Sequence, residues 1–288
     1  MKNLLRTLIY DAQVSLTVAD TTELVKEGIK RHRLSQDSAR TFGEAISAMT
    51  FMSACLKNAV GEISLSLKSD GACDEIAISG NQSLYMRGYI GNTQMDGGVS
   101  ALNPFGTGGS LTIIRDDGYS RPFVGSCALP QNGGVDEAFE EYFRISEQLP
   151  TRIKTSVEFD EQGDCVFAGV IAVQPLPFAP LATQEKVQAL DLATLLEKVK
   201  AQGVTAVVET CFDGDKRVWE ERTAKYKCNC SRRYLLRVLV SLGEAQLRQI
   251  IQEDGAARIH CHYCNTDYEF TEEDADHLFP KKGKITKD

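Results

Sequence analysis

Cys228-Asn229-Cys230, then thirty residues, then Cys261-His262-Tyr263-Cys264: this stretch decides how the chain is read. Two close cysteine pairs a few dozen residues apart are how a chain delivers four thiolates to one tetrahedral ion, each pair spanning one edge of the tetrahedron. The Cys-x2-Cys half is a zinc knuckle with Asn265 suited to the turn behind it, and the Cys-x-Cys half is a tighter version. Cys228, Cys230, Cys261 and Cys264 are therefore the expected ligands of one Zn2+ per chain. His260 and His262 flank Cys261, but four thiolates already fill the shell, so these rings are expected to offer hydrogen bonds or face solvent. His277 is expected at the surface, and His32 on a helix with no visible partner.

Zinc with four thiolates carries a net charge of −2. From Ala224 to Leu242 the chain has five cations (Lys225, Lys227, Arg232, Arg233 and Arg237) and no acid. Such a field stabilises the anionic cluster and keeps its sulfurs as thiolates, the form that peroxide attacks. Spacing alone suits a closed structural zinc as well as a regulatory one. Oxidation has a foreseeable result in either case. A sulfenic acid meets a neighbouring thiol, a disulfide closes, and the metal loses ligands. A structural zinc contributes about 10–16 kcal/mol of apparent free energy, and a domain of about sixty residues has too small a core to do without it. A bond between Cys228 and Cys230 would close a very short loop and be readily reduced.

Outward from the cysteines, Ser231–Val240 reads as a helix, and Ser241 with Glu244 as a capping box for a second helix that Gly255 closes. Arg258–Phe270 reads as a hairpin, Thr271 with Asp274 opens a last short helix, and Lys281–Asp288 is a frayed tail. This is the small C-terminal zinc-binding domain, 228–288. Before it, 178–227 carries eight acidic and eight basic residues in 181–227, and one amphipathic helix, Glu185–Lys200, with Leu192, Leu195, Leu196 and Val199 on one face. A segment with few other large apolar groups packs on a neighbour but has little stability of its own, so it is expected to be a metastable helical linker. The run from Pro175 to Pro180 marks its start.

Residues 1–177 read as one mixed core domain with antiparallel sheets. Leu8–Val18, Ile63–Leu67, Glu75–Ile78, Leu84–Ile90, Ile153–Phe159 and Val166–Val173 have strand character, the last two joined around Glu161-Gln162-Gly163-Asp164. Thr21–Arg33, Asp37–Lys57 and Val135–Leu149 read as helices, the second with Phe42, Ile46, Met49 and Met52 forming a core stripe. The elements show no regular βαβ period, so the fold class is α+β.

Bulk composition excludes several functions. Lys and Arg total 32 against 40 Asp and Glu, a net charge of −8, whereas bulk nucleic-acid binding needs a basic face. The uncharged run Cys165–Gln184 is interrupted by Pro175, Pro177 and Pro180, so a buried strand is expected there and no membrane span. No secretion signal is visible, and nine cysteines in a long chain point to reduced thiols and a cytoplasmic location. Cys55, Cys73, Cys127, Cys165 and Cys211 read as small buried hydrophobes. Phe105-Gly106-Thr107-Gly108-Gly109 lacks the lysine of a phosphate loop and reads as a turn beside a strand. No Ser-His-Asp set or paired carboxylates stand out, so no enzyme activity is expected. A zinc ribbon that binds nucleic acid through 225–237 is the alternative function, and a thiol peroxidase or oxidoreductase is a further one.

Cys228-Asn229-Cys230-Ser231-Arg232, Ser241-Leu242-Gly243, Glu253-Asp254-Gly255 and Cys261-His262-Tyr263-Cys264-Asn265 followed by Tyr268 and Phe270 are similar to the heat shock protein 33 family of redox-regulated chaperones. So is Tyr142–Thr151, which contains the Ser146-Glu147-Gln148-Leu149-Pro150 segment; Thr22-Glu23-Leu24-Val25 and Arg87-Gly88-Tyr89 are weaker echoes. Arg233 stands where many members have an acidic residue. The resemblance implies a zinc-bound reduced form that is a poor chaperone. It implies that oxidants with heat convert Cys261 with Cys264, then Cys228 with Cys230, into disulfides. Zinc then leaves, the switch domain and linker unfold, a homodimer forms, and the protein holds unfolding clients without ATP.

Overall fold

The structure, a computed structural model, describes residues 2–95, 97, 103–131, 133–212 and 219–279. The expected tail at 281–288 lies outside them. The chain divides into two compact units, 1–227 and 228–288. The 178–227 segment therefore folds as part of the first unit.

That unit contains two sheets. Strands β1 (Leu4–Ile9), β2 (Val14–Asp20), β8 (Arg152–Phe159), β9 (Cys165–Pro175) and β10 (Trp219–Arg222) form one, in the order β10-β1-β2-β9-β8. Strands β3 (Glu62–Ser69), β4 (Glu75–Asn81), β5 (Tyr85–Ile90), β6 (Gly109–Asp116), β7 (Phe123–Ala128) and β11 (Lys225–Tyr226) form the other, in the order β11-β5-β4-β3-β6-β7. Among the described residues only β11 on β5 is parallel. The class is α+β. The expected strand Leu8–Val18 is instead the β1–β2 hairpin. Tyr10, Asp11 and Ala12 all adopt left-handed φ at its turn, and no glycine or proline announces it.

Helix α1 (Thr22–His32) leads into helix α2 (Gln36–Ala54), which sits between the sheets. Ile153, Val157, Ala168 and Val170 from one sheet and Ile63, Leu65, Ile76, Ile78 and Ile113 from the other share a core with its Phe42, Ile46, Met49 and Met52. The apolar stripe is thus core, but so is most of the rest of the circumference. Ser47 and Thr50 are buried too, and they donate back to the carbonyls of Gly43 and Ile46 at 2.6 and 2.8 Å. Small, hydroxyl-bearing residues let a helix be surrounded without leaving polar atoms unpaired.

The other face of the five-stranded sheet is covered by helices at Leu181–Gln188, Leu192–Gln202 and Val204–Cys211. The expected single helix Glu185–Lys200 is two. Asp191 caps the second by accepting from Thr194 N–H at 3.1 Å. The Arg152 guanidinium satisfies the end of the first, donating to the carbonyls of Val187, Gln188 and Leu190 at 2.9, 2.9 and 2.7 Å. Likewise Val135–Leu149 is an α-helix only to Tyr142. It continues as a π-helical turn, Phe143–Glu147, and ends with Gln148 at left-handed φ ahead of Pro150. Glu147 accepts from the buried Tyr142 hydroxyl at 2.9 Å and pairs with Arg115 at 2.7 Å, which gives the Ser-Glu-Gln segment a structural task.

Beside α2 lies a group of acids. Burial, with the carboxylates of Asp136 and Glu137 adding to it against Arg40 and Lys154, pushes Glu44 up from 4.5 to about 7. Between these values the folded state binds more protons than the unfolded, so stability falls as pH rises through this window, and the whole cost is present above it. A shift of that size corresponds to about 3 kcal/mol. Glu44→Gln is expected to raise the urea midpoint of the first unit at pH 8 and to leave it nearly unchanged at pH 4.5. Equal effects at both pH values would contradict this.

The second unit has helices Arg232–Leu242, Glu244–Asp254 and Glu272–Leu278 and a two-stranded sheet of β12 (Ala257–Cys261) and β13 (Thr266–Phe270). Its core is Leu235, Leu239, Leu247, Ile251, Ala257, Phe270 and Ala275. Ser241 does not cap the second helix. The first helix runs through it, its hydroxyl donates to the Val238 carbonyl, and Gly243 at φ +85° makes the break.

Candidate metal centre

The four cysteines come from the start of the second unit and from the hairpin at its middle. Cys228 and Cys230 precede Ser231, whose hydroxyl caps the first helix by accepting from Tyr234 N–H at 3.1 Å. Cys261 ends β12. The turn that follows is closed by Cys264 N–H on the Cys261 carbonyl at 3.2 Å, with Asn265 at φ +51°. The register of β12 on β13 sets Cys261 opposite Thr266, so the knuckle is the hairpin turn itself.

All four Sγ atoms lie within 4.8 Å of one another. Cys228 and Cys261 are 3.7 Å apart, and Cys230 and Cys264 are 3.2 Å apart. A zinc ion bound tetrahedrally at the usual sulfur distance holds its ligands about 3.8 Å apart. The donor set and its size therefore fit a tetrathiolate metal site. Cys264 is buried and the other three are half-buried.

The sulfurs are not equivalent. Burial works against charge on Cys230, yet the Tyr268 hydroxyl, 3.3 Å away, and the neighbouring thiols outweigh it and hold Cys230 down to about 7. Burial first, with the adjacent thiols adding, pushes Cys228 well above the ordinary thiol range and Cys264 up to about 11. Cys264 also donates to Thr266 Oγ1 at 3.3 Å. Tyr268 is raised in turn, chiefly by its bond to Cys230.

Three of the five expected cations have other contacts. Arg232 donates to the Glu269 carbonyl and Asp274, both at 2.6 Å, and stacks 4.7 Å from the Phe270 ring centroid. Arg237 lies over Tyr234 and Lys227 over Tyr85. His260 bonds Asp267 at 2.7 Å and stands edge-on to His262. His277 is exposed. His32 is buried with a partner, the Tyr226 hydroxyl at 3.1 Å, and no sequence pattern links residues so far apart.

Of the remaining cysteines, Cys73, Cys127 and Cys165 are buried, and burial raises each thiol. Cys55 and Cys211 are only half-buried, and Lys198 Nζ is 3.7 Å from the Cys211 sulfur. The glycine-rich 105–109 run is a turn leading into β6. Its Thr107 and Gly108 N–H groups both donate to Asp70 at 2.9 Å, so the amides a phosphate would need are occupied. Among the described residues no helix is long and apolar enough to cross a membrane.

The sequence model of the family described as Hsp33 protein matches residues 2–271. A protein named 33 kDa chaperonin from Clostridium perfringens strain SM101 is 32% identical over 298 residues, covering 99% of this chain and 93% of its own length. Its namesake from Bacillus cytotoxicus is 30% identical over 289 residues, covering 96% and 97%. Among solved structures, the 33 kDa chaperonin (heat shock protein 33 homolog) of Thermotoga maritima superposes with a TM-score of 0.81. It covers 96% of this chain and 97% of that one. At 24% identity that likeness concerns the fold.

Proposed function

Since the chain belongs to the Hsp33 family, whose curated relatives are named chaperonins, we propose that it is a redox-regulated holdase with Cys228, Cys230, Cys261 and Cys264 as its zinc ligands. The observation that carries this reading is the set of four sulfurs within 4.8 Å in a unit whose buried core, among the described residues, is seven side chains. Zinc bound there cross-links the start of the unit to its hairpin and keeps the sulfurs anionic.

The switch proceeds through the cysteines. A thiolate takes the terminal oxygen of hydrogen peroxide and becomes a sulfenic acid, with hydroxide leaving to form water. The neighbouring thiolate attacks that sulfur, the S–O bond breaks, a second hydroxide leaves, and a disulfide remains. Each disulfide thus reduces one peroxide to two waters. The Cys261–Cys264 and Cys228–Cys230 pairing follows the family resemblance, and with both formed no thiolate is left to hold zinc.

Loss of the clamp unfolds the second unit and destabilises the linker, 178–227, that precedes it. Melting of that segment uncovers the apolar sheet face beneath helices 181–211, and contiguous apolar surface binds other proteins. The activated protein binds unfolding clients and forms a homodimer. Reduced thiols suit the cytoplasm.

Purified under reduction, the protein is expected to hold one zinc per chain and to suppress light scattering from a heat-unfolding client poorly. Warm peroxide is expected to release the zinc, to double the mass in sedimentation and to give strong suppression that a dithiol reverses. Equal suppression by the reduced protein, the oxidised protein and Cys261→Ser/Cys264→Ser would overturn the thiol switch.

A further inference from the structure

Residues 219–227, immediately ahead of Cys228, supply one edge strand to each sheet of the first unit: β10 on β1 and β11 on β5. The second is unusual. It is two residues long and parallel, in a sheet otherwise antiparallel. Lys225 N–H donates to the Leu84 carbonyl at 3.0 Å and Lys227 N–H to the Met86 carbonyl at 2.8 Å. One step further, at Gly88, the chain has turned away to Cys228 and a side chain completes the ladder. The Tyr226 hydroxyl donates to the Gly88 carbonyl at 2.9 Å and accepts from Gly88 N–H at 3.4 Å. The same oxygen lies 3.1 Å from His32 Nε2. The ring packs on the core, with the Arg31 guanidinium 5.5 Å from its centroid. A short peptide and one phenol thus occupy the edge of a six-residue strand.

An unpaired strand edge is a template for any extended chain, and main-chain bonds provide affinity without sequence preference. A two-residue bridge holds such an edge because it is tethered, which gives it a high effective concentration. An extended segment of another protein can pair along the whole of β5 once the tether slackens. The socket also specifies the visitor: an aromatic side chain in an extended backbone, its ring against the core and Arg31. Unfolding proteins expose such segments.

We infer that the β5 edge is a docking strand for extended, aromatic-bearing segments of unfolding proteins, and that Lys225-Tyr226-Lys227 is the resident mimic that blocks it. The inference rests on the holdase reading above and adds to the apolar sheet face a second contact, at which the client's main chain pairs.

The test is site-specific photocrosslinking with p-benzoylphenylalanine in place of Tyr85 or, on the opposite edge strand β7, of Phe123. The two positions are similarly exposed, 37% and 43%. On β7 the Ser126 carbonyl already accepts from Ser146 Oγ at 3.1 Å. The probe is fluorescently labelled lysozyme, reduced and carboxymethylated so that it stays unfolded. In the oxidised protein, position 85 is expected to give several-fold more adduct than position 123, and the reduced protein little from either. Tyr226→Ala in the reduced, zinc-loaded protein is expected to yield the position-85 adduct without oxidation and with zinc retained. Tyr226→Phe, which keeps the ring and loses the bonds to Gly88, is expected to fall between. Equal labelling from both positions in oxidised protein that suppresses aggregation overturns this inference alone, as does a reduced Tyr226→Ala protein that labels no better than the parent. Failure of the oxidised protein to suppress aggregation removes the holdase reading and the docking strand with it.

Discussion

Stripping zinc from the reduced protein with a chelator is expected to unfold the second unit and leave strands β1 to β9 of the first intact. Helices 232–242 and 244–254 are eleven residues each, a length at which an isolated helix is marginal in water. The β12–β13 ribbon has two strands, also marginal alone. What joins them is a core of Leu235, Leu239, Leu247, Ile251, Ala257, Phe270 and Ala275 with half-buried side chains such as Leu236, Ile250 and Tyr268 around it, a core that leaves a unit of this size marginal. A tetrathiolate zinc contributes about 10–16 kcal/mol, more than the total stability of most domains. The ion pairs of Arg248 with Glu244, Glu272 and Asp276 lie at the surface and replace little of that. Hydrogen exchange is the measurement. Amides of Leu247, Ile251 and Tyr268 should lose their protection on chelation, while those of Leu16, Val18 and Val170 keep theirs. Unchanged protection at Leu247 and Ile251 in metal-free protein would show that the fold of this unit does not depend on its cysteines.

The sequence makes this unit easy to read because its constraint is covalent in kind. Four cysteines at two tight spacings can serve one ion in few ways, so the hairpin, the knuckle turn and the helix that Ser231 caps follow from Cys228, Cys230, Cys261 and Cys264 outward. The error, Ser241 as a cap, arose because Ser241 and Gly243 both stand at a helix boundary; the glycine provides the break and the serine bonds back within the preceding turn. In the first unit, period-two alternation exposes β3, β4, β5 and β8, and the uncharged apolar run exposes β9. Strands β10 and β11 are invisible to that signal. They are four and two residues long, and they are strands because β1 and β5 offer them an edge. The break at Ala189–Asp191 was hidden for a related reason. Arg152, distant in sequence, satisfies the carbonyls that a continuous helix would have satisfied itself. The latch between His32 and Tyr226 likewise depends on two residues 194 apart.

Leu196→Asp in the reduced, zinc-loaded protein is expected to produce a chaperone that no longer needs oxidant. Strands β2 and β9 are buried on both faces, from Val14 to Ala19 and from Phe167 to Val173. One face meets α2. On the other, Leu16, Val18, Phe167, Ile171 and Val173 are kept from water by Leu192, Leu195, Leu196, Val199, Val207, Val208 and Phe212. Leu196 is 2% exposed, and its Cδ2 stands 3.3 Å from where a Cβ on Gly169 would lie, so its methyl groups fill the space that this glycine leaves on β9. Truncating a buried leucine costs about 2–5 kcal/mol, and leaving an unpaired carboxylate in its place costs several more. Polar tethers such as Arg152 on the carbonyls of 187–190, Lys200 on Glu158 and the Thr183 hydroxyl on Gln13 are few, and helices of eight to eleven residues do not persist without packing. Amides of 192–211 should therefore exchange freely while zinc stays bound, and the freed sheet face should bind an apolar dye and suppress client aggregation as the oxidised parent does. Leu196→Ala should do so in part, and Glu197→Ala, on the exposed side of the same turn, not at all. If the 192–211 amides exchange freely and the reduced variant still fails to hold client, the sheet face is not where clients bind, and the cysteine unit must act through something other than the helices that cover it.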